Sequence, residues 1–248
     1  ADVEQSLRKK FKKSIWRKFT KAINTYELVK PGDKIAVCIS GGKDSMLMAK
    51  LFQELKHHNK FDFEVKFLVM DPGYNEANRH VIEENCKNLG IPATIFESDI
   101  FDAVYEIEKS PCYLCARMRR GHLYSFAKEL GCNKIAYAHH KDDIVETMMM
   151  SLIYEGHFYS FPPITHLDRT DLTVIRPLMY VYEADVKGFC NKYQLPVVKS
   201  PCPADGYTKR QYVKDLLRKL NQENPGVKER MFSAIVNGNI PDWTPKIR

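Results

Sequence analysis

KIAVCI-SGGKDS, the stretch from Lys34 to Ser45, is the most informative part of this 248-residue chain. Its first six residues form an apolar run that predicts a buried strand, and the pattern from Ser45 to Phe52 predicts a helix. Between them, two glycines allow positive φ and a close approach of the backbone to an anion. The N-terminus of a helix presents unpaired N–H groups and a partial positive charge to such an anion. The stretch therefore predicts a phosphate-binding loop.

The polar residues of this loop are the first candidates for a functional site. Ser40 and Ser45 offer hydroxyl donors. Lys43 offers a fixed cation, and Asp44 offers a carboxylate of the kind that holds Mg2+. The spacing fits neither the Walker loop nor the dinucleotide fingerprint, and a simple Gly/Ser turn is the alternative interpretation. The pattern SGGxDS after a strand resembles the PP-loop of ATP pyrophosphatases, which cleave ATP between the α- and β-phosphates to adenylate an oxygen.

Strand-like and helix-like segments alternate along the chain. Strands are predicted at Lys34–Ile39, Val65–Met70, Ala93–Phe96, Lys134–Ala138 and Val174–Leu178. Repeated βα units predict a Rossmann-like α/β fold, a parallel five-stranded sheet with helices on both faces and helical N- and C-terminal extensions. Ligands of such sheets bind beyond the carboxyl ends of the strands, where Ser40–Ser45 should meet Met70 and residues 139–143.

A second polar motif, HHKDD at residues 139–143, runs from a strand end into a helix. Asp142 or Asp143 suits the N-cap and first turn of that helix. Capping needs one acid, so the pair leaves a carboxylate for magnesium or for proton handling. The two imidazoles can reach phosphate or nucleobase. The alternative is helix capping together with a buried histidine.

The seven cysteines predict a reducing, cytosolic location, in which clustered cysteines bind metal or act in catalysis. Four lie within apolar or helical patterns and are interpreted as core residues: Cys38, Cys86, Cys132 and Cys190. Cys112 and Cys115 form a CxxC at a predicted helix start, which favours thiolates, and Cys202 is a distant third sulfur. The spacing leaves three alternatives open, namely a cluster with one open coordination position, a redox dithiol, or a zinc site of three cysteines and one histidine.

The net charge of +7 suits a polyanionic partner. Residues 1–30 contain nine Lys and Arg against three acidic residues, and a second basic run follows Thr208. The segment RMRR at 117–120 adds Arg119 and its neighbours beside the CxxC. RNA binding and a solvated helix face with a packed apolar stripe are alternatives that can both hold. No apolar leader or membrane-length segment occurs, so no membrane partner is expected.

Four motifs in one order closely resemble the tRNA 2-thiocytidine synthetase (TtcA) family of the PP-loop ATP pyrophosphatase superfamily. They are SGGKDS at 40–45, CYLCARMRRG at 112–121, HHKDDI at 139–144 and VIRPL at 174–178. The resemblance implies an ATP- and Mg2+-dependent tRNA thiolase that adenylates the C2 oxygen of a pyrimidine, with cytidine favoured, and inserts sulfur. It also implies a [4Fe-4S] cluster on three cysteines, which match Cys112, Cys115 and Cys202.

The mechanistic hypothesis assigns a role to each motif. ATP is bound by Ser40, Gly41, Gly42, Lys43, Asp44 and Ser45, together with Met70 and His140. Asp44 and Asp143 position Mg2+. Lys43 and Arg119 neutralise charge as pyrophosphate departs.

Three segments are expected along the chain. Residues 1–30 form a basic helical extension, 31–200 the PP-loop domain, and 201–248 a helical segment that carries the third cluster cysteine. The expected partners are tRNA, a sulfur donor such as a cysteine desulfurase, and a second copy of the chain in a cytoplasmic homodimer. Two other functions remain open, a PP-loop sulfurtransferase or desulfidase acting on a small molecule, and a non-catalytic RNA-binding protein that contains zinc.

Overall fold

The computed structural model describes residues 2–71, 75–97, 111–196, 198 and 209–238, with the backbone alone at 2 and 111–116. The chain forms two compact units. The first comprises Ala1–His140 and Pro162–Ala204, and the second comprises Lys141–Phe161 and Asp205–Arg248. Among the helices of the described residues, none has the length and apolar character that crossing a membrane requires.

The first unit alternates strands and helices. Its N-terminal part contains α1 (Asp2–Arg8), a π-helical stretch (Lys12–Trp16) and α2 (Arg17–Thr25). The βα part that follows contains β1 (Lys34–Ile39), α3 (Lys43–His58), β2 (Glu64–Asp71), α4 (Glu76–Asn88), β3 (Ala93–Glu97), α5 (Pro111–Glu129) and β4 (Lys134–Ala136). The hairpin of β5 (Ile164–Leu167) and β6 (Leu172–Ile175) precedes a further helix of this unit.

Six strands form one sheet in the order β3-β2-β1-β4-β6-β5. Strand β1 lies between β2 and β4 and pairs in parallel with both. The chain moves outward from β1 to β3 and then returns to the other side of β1 as β4. The strand order therefore reverses between β1 and β4, and the carboxyl ends of these two strands border the crevice in which such sheets bind ligands.

The predicted α/β sheet with helical extensions is confirmed, but the count of five parallel strands is wrong. The additional strand β5 pairs antiparallel with β6 at the sheet edge. Its sequence, ITHL, alternates exposed and half-buried positions and lacks the apolar run that marks a buried strand. The fifth predicted strand is also displaced, because β6 ends at Ile175, two residues before Pro177, which has no N–H for a sheet hydrogen bond.

The N-terminal helical segment is amphipathic and buries its apolar side in the first unit. The almost completely buried side chains recur every four residues: Leu7, Phe11, Ile15 and Phe19. Phe19 packs edge-on against Phe52 of α3, with ring centroids 5.5 Å apart. The expected packed stripe of the basic N-terminal run is therefore present.

A buried ion pair joins β4 to the residue that precedes β1. Lys134 Nζ lies 2.6 Å from Asp33 Oδ2 and donates a hydrogen bond to Leu28 O at 2.8 Å. The side chain of Asn133 donates to Asp33 Oδ1 and accepts from the backbone N–H of Lys34. Burial raises the pKa of Asp33, but the hydrogen bonds from Lys134 and Asn133 outweigh it, so the pKa is lowered. These contacts hold the amino ends of β1 and β4 side by side.

The helix that follows the hairpin is α7 (Glu183–Lys192), which completes the first unit. The second unit is helical in its described part. It contains α6 (Lys141–Met150) with a π-helical turn (Ser151–Glu155), α8 (Lys209–Glu223) and α9 (Val227–Asn237). Ion pairs join the start of α6 to α9, since Lys141 Nζ lies 2.6 Å from Glu229 Oε2 and Lys228 Nζ lies 3.1 Å from Asp142 Oδ1.

We expect Lys134→Met to lower the free energy of unfolding by about 3–5 kcal/mol, because Asp33 then remains buried without its cation. Since the folded-state pKa of Asp33 is lowered, its ionised form stabilises the fold above pH 3.8, and this contribution is lost as the pH falls. The difference between variant and wild type should therefore shrink in acid. Urea unfolding at several pH values measures both effects. Lys66→Met, at an exposed position of β2, is the control, and an equal loss there would contradict the assignment.

Candidate nucleotide-binding site

The loop between β1 and α3 turns tightly at Gly41. This residue has φ +83°, in the left-handed region that favours glycine. A Cβ at Gly41 would lie 2.7 Å from Cγ1 of Ile82, in α4. Gly42 is the N-cap of α3, which begins at Lys43. The first turn of α3, with its unpaired N–H groups, therefore lies at the carboxyl end of the central strand, as an anion site requires.

Ser40 and Ser45 hold the shape of this loop. Ser45 Oγ accepts a hydrogen bond from the N–H of Ser40 at 3.1 Å and donates one to Gly42 O at 3.1 Å. Ser40 Oγ accepts from the N–H of Gly42 at 3.4 Å and lies 3.3 Å from Ser45 Oγ. The two hydroxyls that were predicted to contact phosphate thus bond within the loop in this structure.

Lys43 and Asp44 bring opposite charges to the start of α3. Lys43 Nζ lies 3.0 Å from Asp44 Oδ2 and 3.3 Å from Oε1 of Glu183, in the first turn of α7. Burial lowers the pKa of Lys43, but the attraction of the two carboxylates outweighs burial, so the pKa is raised. The ammonium therefore stays charged at neutral pH. An ammonium that ion pairs fix beside a helix N-terminus can bind the phosphates of a nucleotide.

The residues after β4 lie at the same crevice. His140 is almost completely buried, and its Nε2 lies 3.8 Å from Asp44 Oδ1. His139 accepts at Nδ1 a hydrogen bond from Nε of Arg176, 3.2 Å away. Because a guanidinium only donates, the neutral ring of His139 carries its proton on Nε2. Tertiary structure thus brings His140, predicted from the second motif, to Asp44 of the first.

Glu183 and Arg176 were not among the predicted site residues. Acidic residues are common in the first turn of any helix, where they interact favourably with the helix dipole, so nothing local distinguishes Glu183. Arg176 lies in the VIRPL motif, which served only for the family resemblance. A lone cation at the end of a buried strand, just before a proline, was the available signal for Arg176.

Three other predicted residues belong to other elements of the structure. Met70 is buried in β2, where its backbone is paired opposite Phe96 of β3. Arg119 is half-buried in α5. Asp143 lies in the first turn of α6, in the second unit. Adenine contact at Met70, charge neutralisation by Arg119 and magnesium binding by Asp143 stay predictions.

The predicted cluster ligands fall largely outside the described residues. Cys112 and Cys115 are the second and fifth residues of α5, which begins at Pro111. Their side chains, and Cys202 as a whole, lie outside the described part. Three cysteine thiolates are nevertheless the soft donors that iron–sulfur clusters use, so the residue types fit such a group. Within the described residues, no three His, Cys, Asp or Glu side chains are grouped to hold a metal ion.

The other four cysteines are core residues, as their sequence context predicted. Cys86, Cys132 and Cys190 are buried, and Cys38 is half-buried. Burial raises the pKa of Cys86 and of Cys190 to about 11, so both remain thiols at neutral pH. Cys190 Sγ lies 3.9 Å from Lys43 O, which packs α7 against the start of α3.

Comparison with known proteins is consistent with this geometry. A family model described as a PP-loop domain matches residues 11–221. The tRNA-cytidine(32) 2-sulfurtransferase of Alcanivorax borkumensis is 37% identical over 96% of this chain and 85% of its own length. The protein of the same name from Neisseria meningitidis serogroup C is 39% identical over 87% of this chain and 69% of its own length.

One solved structure shows the same fold. It is the U34-tRNA thiolase NcsA from Methanococcus maripaludis with its [4Fe-4S] cluster, at a TM-score of 0.70 and 24% identity. The match covers 89% of this chain and 77% of that one. At this level of identity the similarity concerns the fold alone.

Gly41→Ala should destabilise the protein more than Gly32→Ala. Both positions have positive φ, but a Cβ at Gly32 has nothing within 4 Å, so that variant should lose about 1 kcal/mol from backbone strain alone. At Gly41 the Cβ must also displace Ile82. Urea unfolding measures stability, and titration with a fluorescent ATP analogue should show lost binding for Gly41→Ala only. If both variants lost the same free energy of unfolding, the close approach of Gly41 to Ile82 in α4 would not explain why glycine occupies position 41.

Proposed function

The chain belongs to the PP-loop family and, within it, to the tRNA-cytidine(32) 2-sulfurtransferases. From this membership we propose that the protein is an ATP-dependent tRNA thiolase that replaces the C2 oxygen of cytidine 32 with sulfur. One structural observation carries the proposal, the meeting of Lys43, Asp44 and His140 where the strand order reverses. Binding of a nucleoside triphosphate is supported by three features at this point: the positive-φ turn at Gly41, the N-terminus of α3 and the ion-paired ammonium of Lys43.

ATP converts the C2 oxygen into a leaving group. The oxygen attacks the α-phosphorus, the bond from that phosphorus to the bridging oxygen breaks, and pyrophosphate departs. The base is then linked to AMP through its former carbonyl oxygen. Attack of sulfide-level sulfur at C2 forms the C–S bond and breaks the C–O bond, and AMP leaves with the oxygen. This sequence accounts for the need for both a nucleotide site and a sulfur source.

The loop residues supply the charge that this reaction requires. Lys43 balances negative charge on the phosphates as pyrophosphate leaves, and Glu183 orients its ammonium. The first N–H groups of α3 bind phosphate oxygens. Asp44 would hold Mg2+, which neutralises phosphate charge when bound. Arg119 adds a second cation from α5.

Cys112, Cys115 and Cys202 would hold a [4Fe-4S] cluster. Three thiolates are donors of the kind that bind such a cluster, and the cluster would supply the chemistry of sulfur delivery to the base. The placement of Cys112 and Cys115 at the start of α5 supports this role, since a helix N-terminus favours thiolates.

The reaction requires an RNA substrate and a source of sulfur. The RNA substrate is tRNA, and each turnover consumes one sulfide-level sulfur, which a donor such as a cysteine desulfurase would replace together with a two-electron thiol reductant. We infer a homodimer in the cytoplasm, where tRNA and reduced thiols occur together.

Asp44→Ala should lower the rate of 2-thiocytidine formation roughly a hundredfold, because the site then lacks the carboxylate that would hold the phosphate-neutralising Mg2+. Mass spectrometry of nucleosides from tRNA incubated with the anaerobically purified enzyme, ATP and sulfide measures the product. Asp62→Ala, which removes an exposed carboxylate, is the control and should retain the wild-type rate. Thiolation by Asp44→Ala at the wild-type rate would exclude the proposed role of the loop.

Cys202→Ser should lower the iron and acid-labile sulfide bound per chain and weaken the visible absorption of the cluster, since one of three protein ligands is removed. Cys86→Ala removes a buried core thiol and should leave the iron content unchanged. Zinc without iron in the anaerobically purified wild type would contradict the cluster assignment, whatever the behaviour of the variants.

A further inference from the structure

The N-terminal helical segment carries a row of exposed cations opposite its buried apolar stripe. The row recurs every four residues and consists of Lys9, Lys13, Arg17 and Lys21. It is offset by two residues from the buried stripe that starts at Leu7. All four cations are exposed, whereas the side chains of the stripe are buried. The segment thus presents a line of positive charge to solvent, here named the cation row.

Carboxylates of the described residues do not neutralise the cation row. Glu4, an acidic residue of the same segment, is paired with Lys50 of α3 at 2.6 Å. Lys50 holds the carboxylate so firmly that the pKa of Glu4 falls to about 2. Lys21 Nζ lies 4.6 Å from the ring centroid of Tyr180, whose face attracts a cation without cancelling its charge. The local excess of positive charge is therefore available to an external anion.

The N-terminal segment contacts the same helix, α7, as the candidate nucleotide site. Lys18, the neighbour of Arg17, contacts the start of α7, with Nζ 3.9 Å from Asp185 Oδ2 and 4.3 Å from the ring centroid of Tyr182. Glu183, between these two residues, contacts Lys43 in the first turn of α3. The N-terminal segment and the nucleotide loop therefore both contact the first turn of α7.

The burial pattern distinguishes between possible anionic surfaces. A membrane surface holds basic helices by inserting their apolar side, and here that side is buried against Phe52 and its neighbours. A nucleic-acid backbone needs cations only, at repeated short intervals. We propose that the cation row binds the phosphate backbone of tRNA and orients it toward the nucleotide loop. This inference rests on the proposed function, because it assigns the surface that holds the substrate of that reaction.

The test compares two variants of the full-length, cluster-containing enzyme with equal net charge. The row variant combines Lys9→Gln, Lys13→Gln and Arg17→Gln. The control combines Lys60→Gln, Lys87→Gln and Lys128→Gln, at three exposed positions of the same unit. Glutamine keeps the helix propensity of lysine and arginine, so both variants should fold like the wild type, which urea unfolding checks.

The row variant should bind tRNA roughly tenfold to a hundredfold more weakly than the wild type at about 0.1 M salt. The plot of the logarithm of the association constant against log salt has a negative slope. Its magnitude should fall by about two to three, roughly one for each phosphate that the variant no longer neutralises. In thiolation assays KM for tRNA should rise while kcat changes little, since the nucleotide site is untouched. The control should match the wild type in all three measurements.

Three results would overturn the inference. The first is a salt slope for the row variant equal to that of the wild type, or an equal loss in the control. The second is tighter binding of the wild type to vesicles containing phosphatidylserine than to tRNA, which would assign the row to a membrane. The third is equal binding of polyglutamate and tRNA, which would leave an acidic protein as the partner. Failure of the wild type to bind tRNA at any salt concentration would contradict the proposed function itself, whereas wild-type binding with an unchanged row variant would contradict the row alone.

Discussion

Parallel pairing of β1 with both β2 and β4 is the constraint on which the candidate site depends. A central strand has its backbone hydrogen-bonding groups satisfied on both sides, so its carboxyl end is held in a defined position. The loop that leaves this end must turn at once into α3, which requires positive φ at Gly41 and leaves no room for a side chain beside Ile82. Reversal of the strand order then brings the end of β4, and with it His140, to the same point.

Charge at this point is arranged before any nucleotide binds. Lys43 is partly buried, which opposes its positive charge, and the carboxylates of Asp44 and Glu183 restore it. A preorganised cation requires little rearrangement when negative charge develops on departing pyrophosphate. Ser40 and Ser45 contribute by fixing the loop through internal hydrogen bonds. The internal hydrogen bonds thus fix the conformation of the loop, and its backbone N–H groups are the hydrogen-bond donors for phosphate.

The N-terminal segment shows how one helix can serve two purposes. Its apolar stripe adds to the core of the first unit through contacts such as that of Phe19 with Phe52. Its opposite side concentrates exposed cations that no carboxylate of the described residues pairs with. Packing explains why the segment is helical, and its charge pattern remains to be explained by an external partner. The two interpretations of the basic run that the sequence left open are therefore compatible.

Local patterns were sufficient wherever the structural cause is local. The apolar run at Lys34–Ile39, the glycines that follow and the helical periodicity beyond Ser45 identified β1, its loop and α3, because each reflects the conformation and burial of its own residues. The edge strand β5 escaped detection, since a short half-exposed strand is stabilised by its neighbour β6 rather than by its own apolar pattern. The sequence by itself determined the phosphate-binding loop and the alternation of strands and helices. Only the tertiary structure decided that Glu183 and His140 lie against Lys43 and Asp44, because contacts between distant residues depend on how the sheet orders its strands, which no local pattern records.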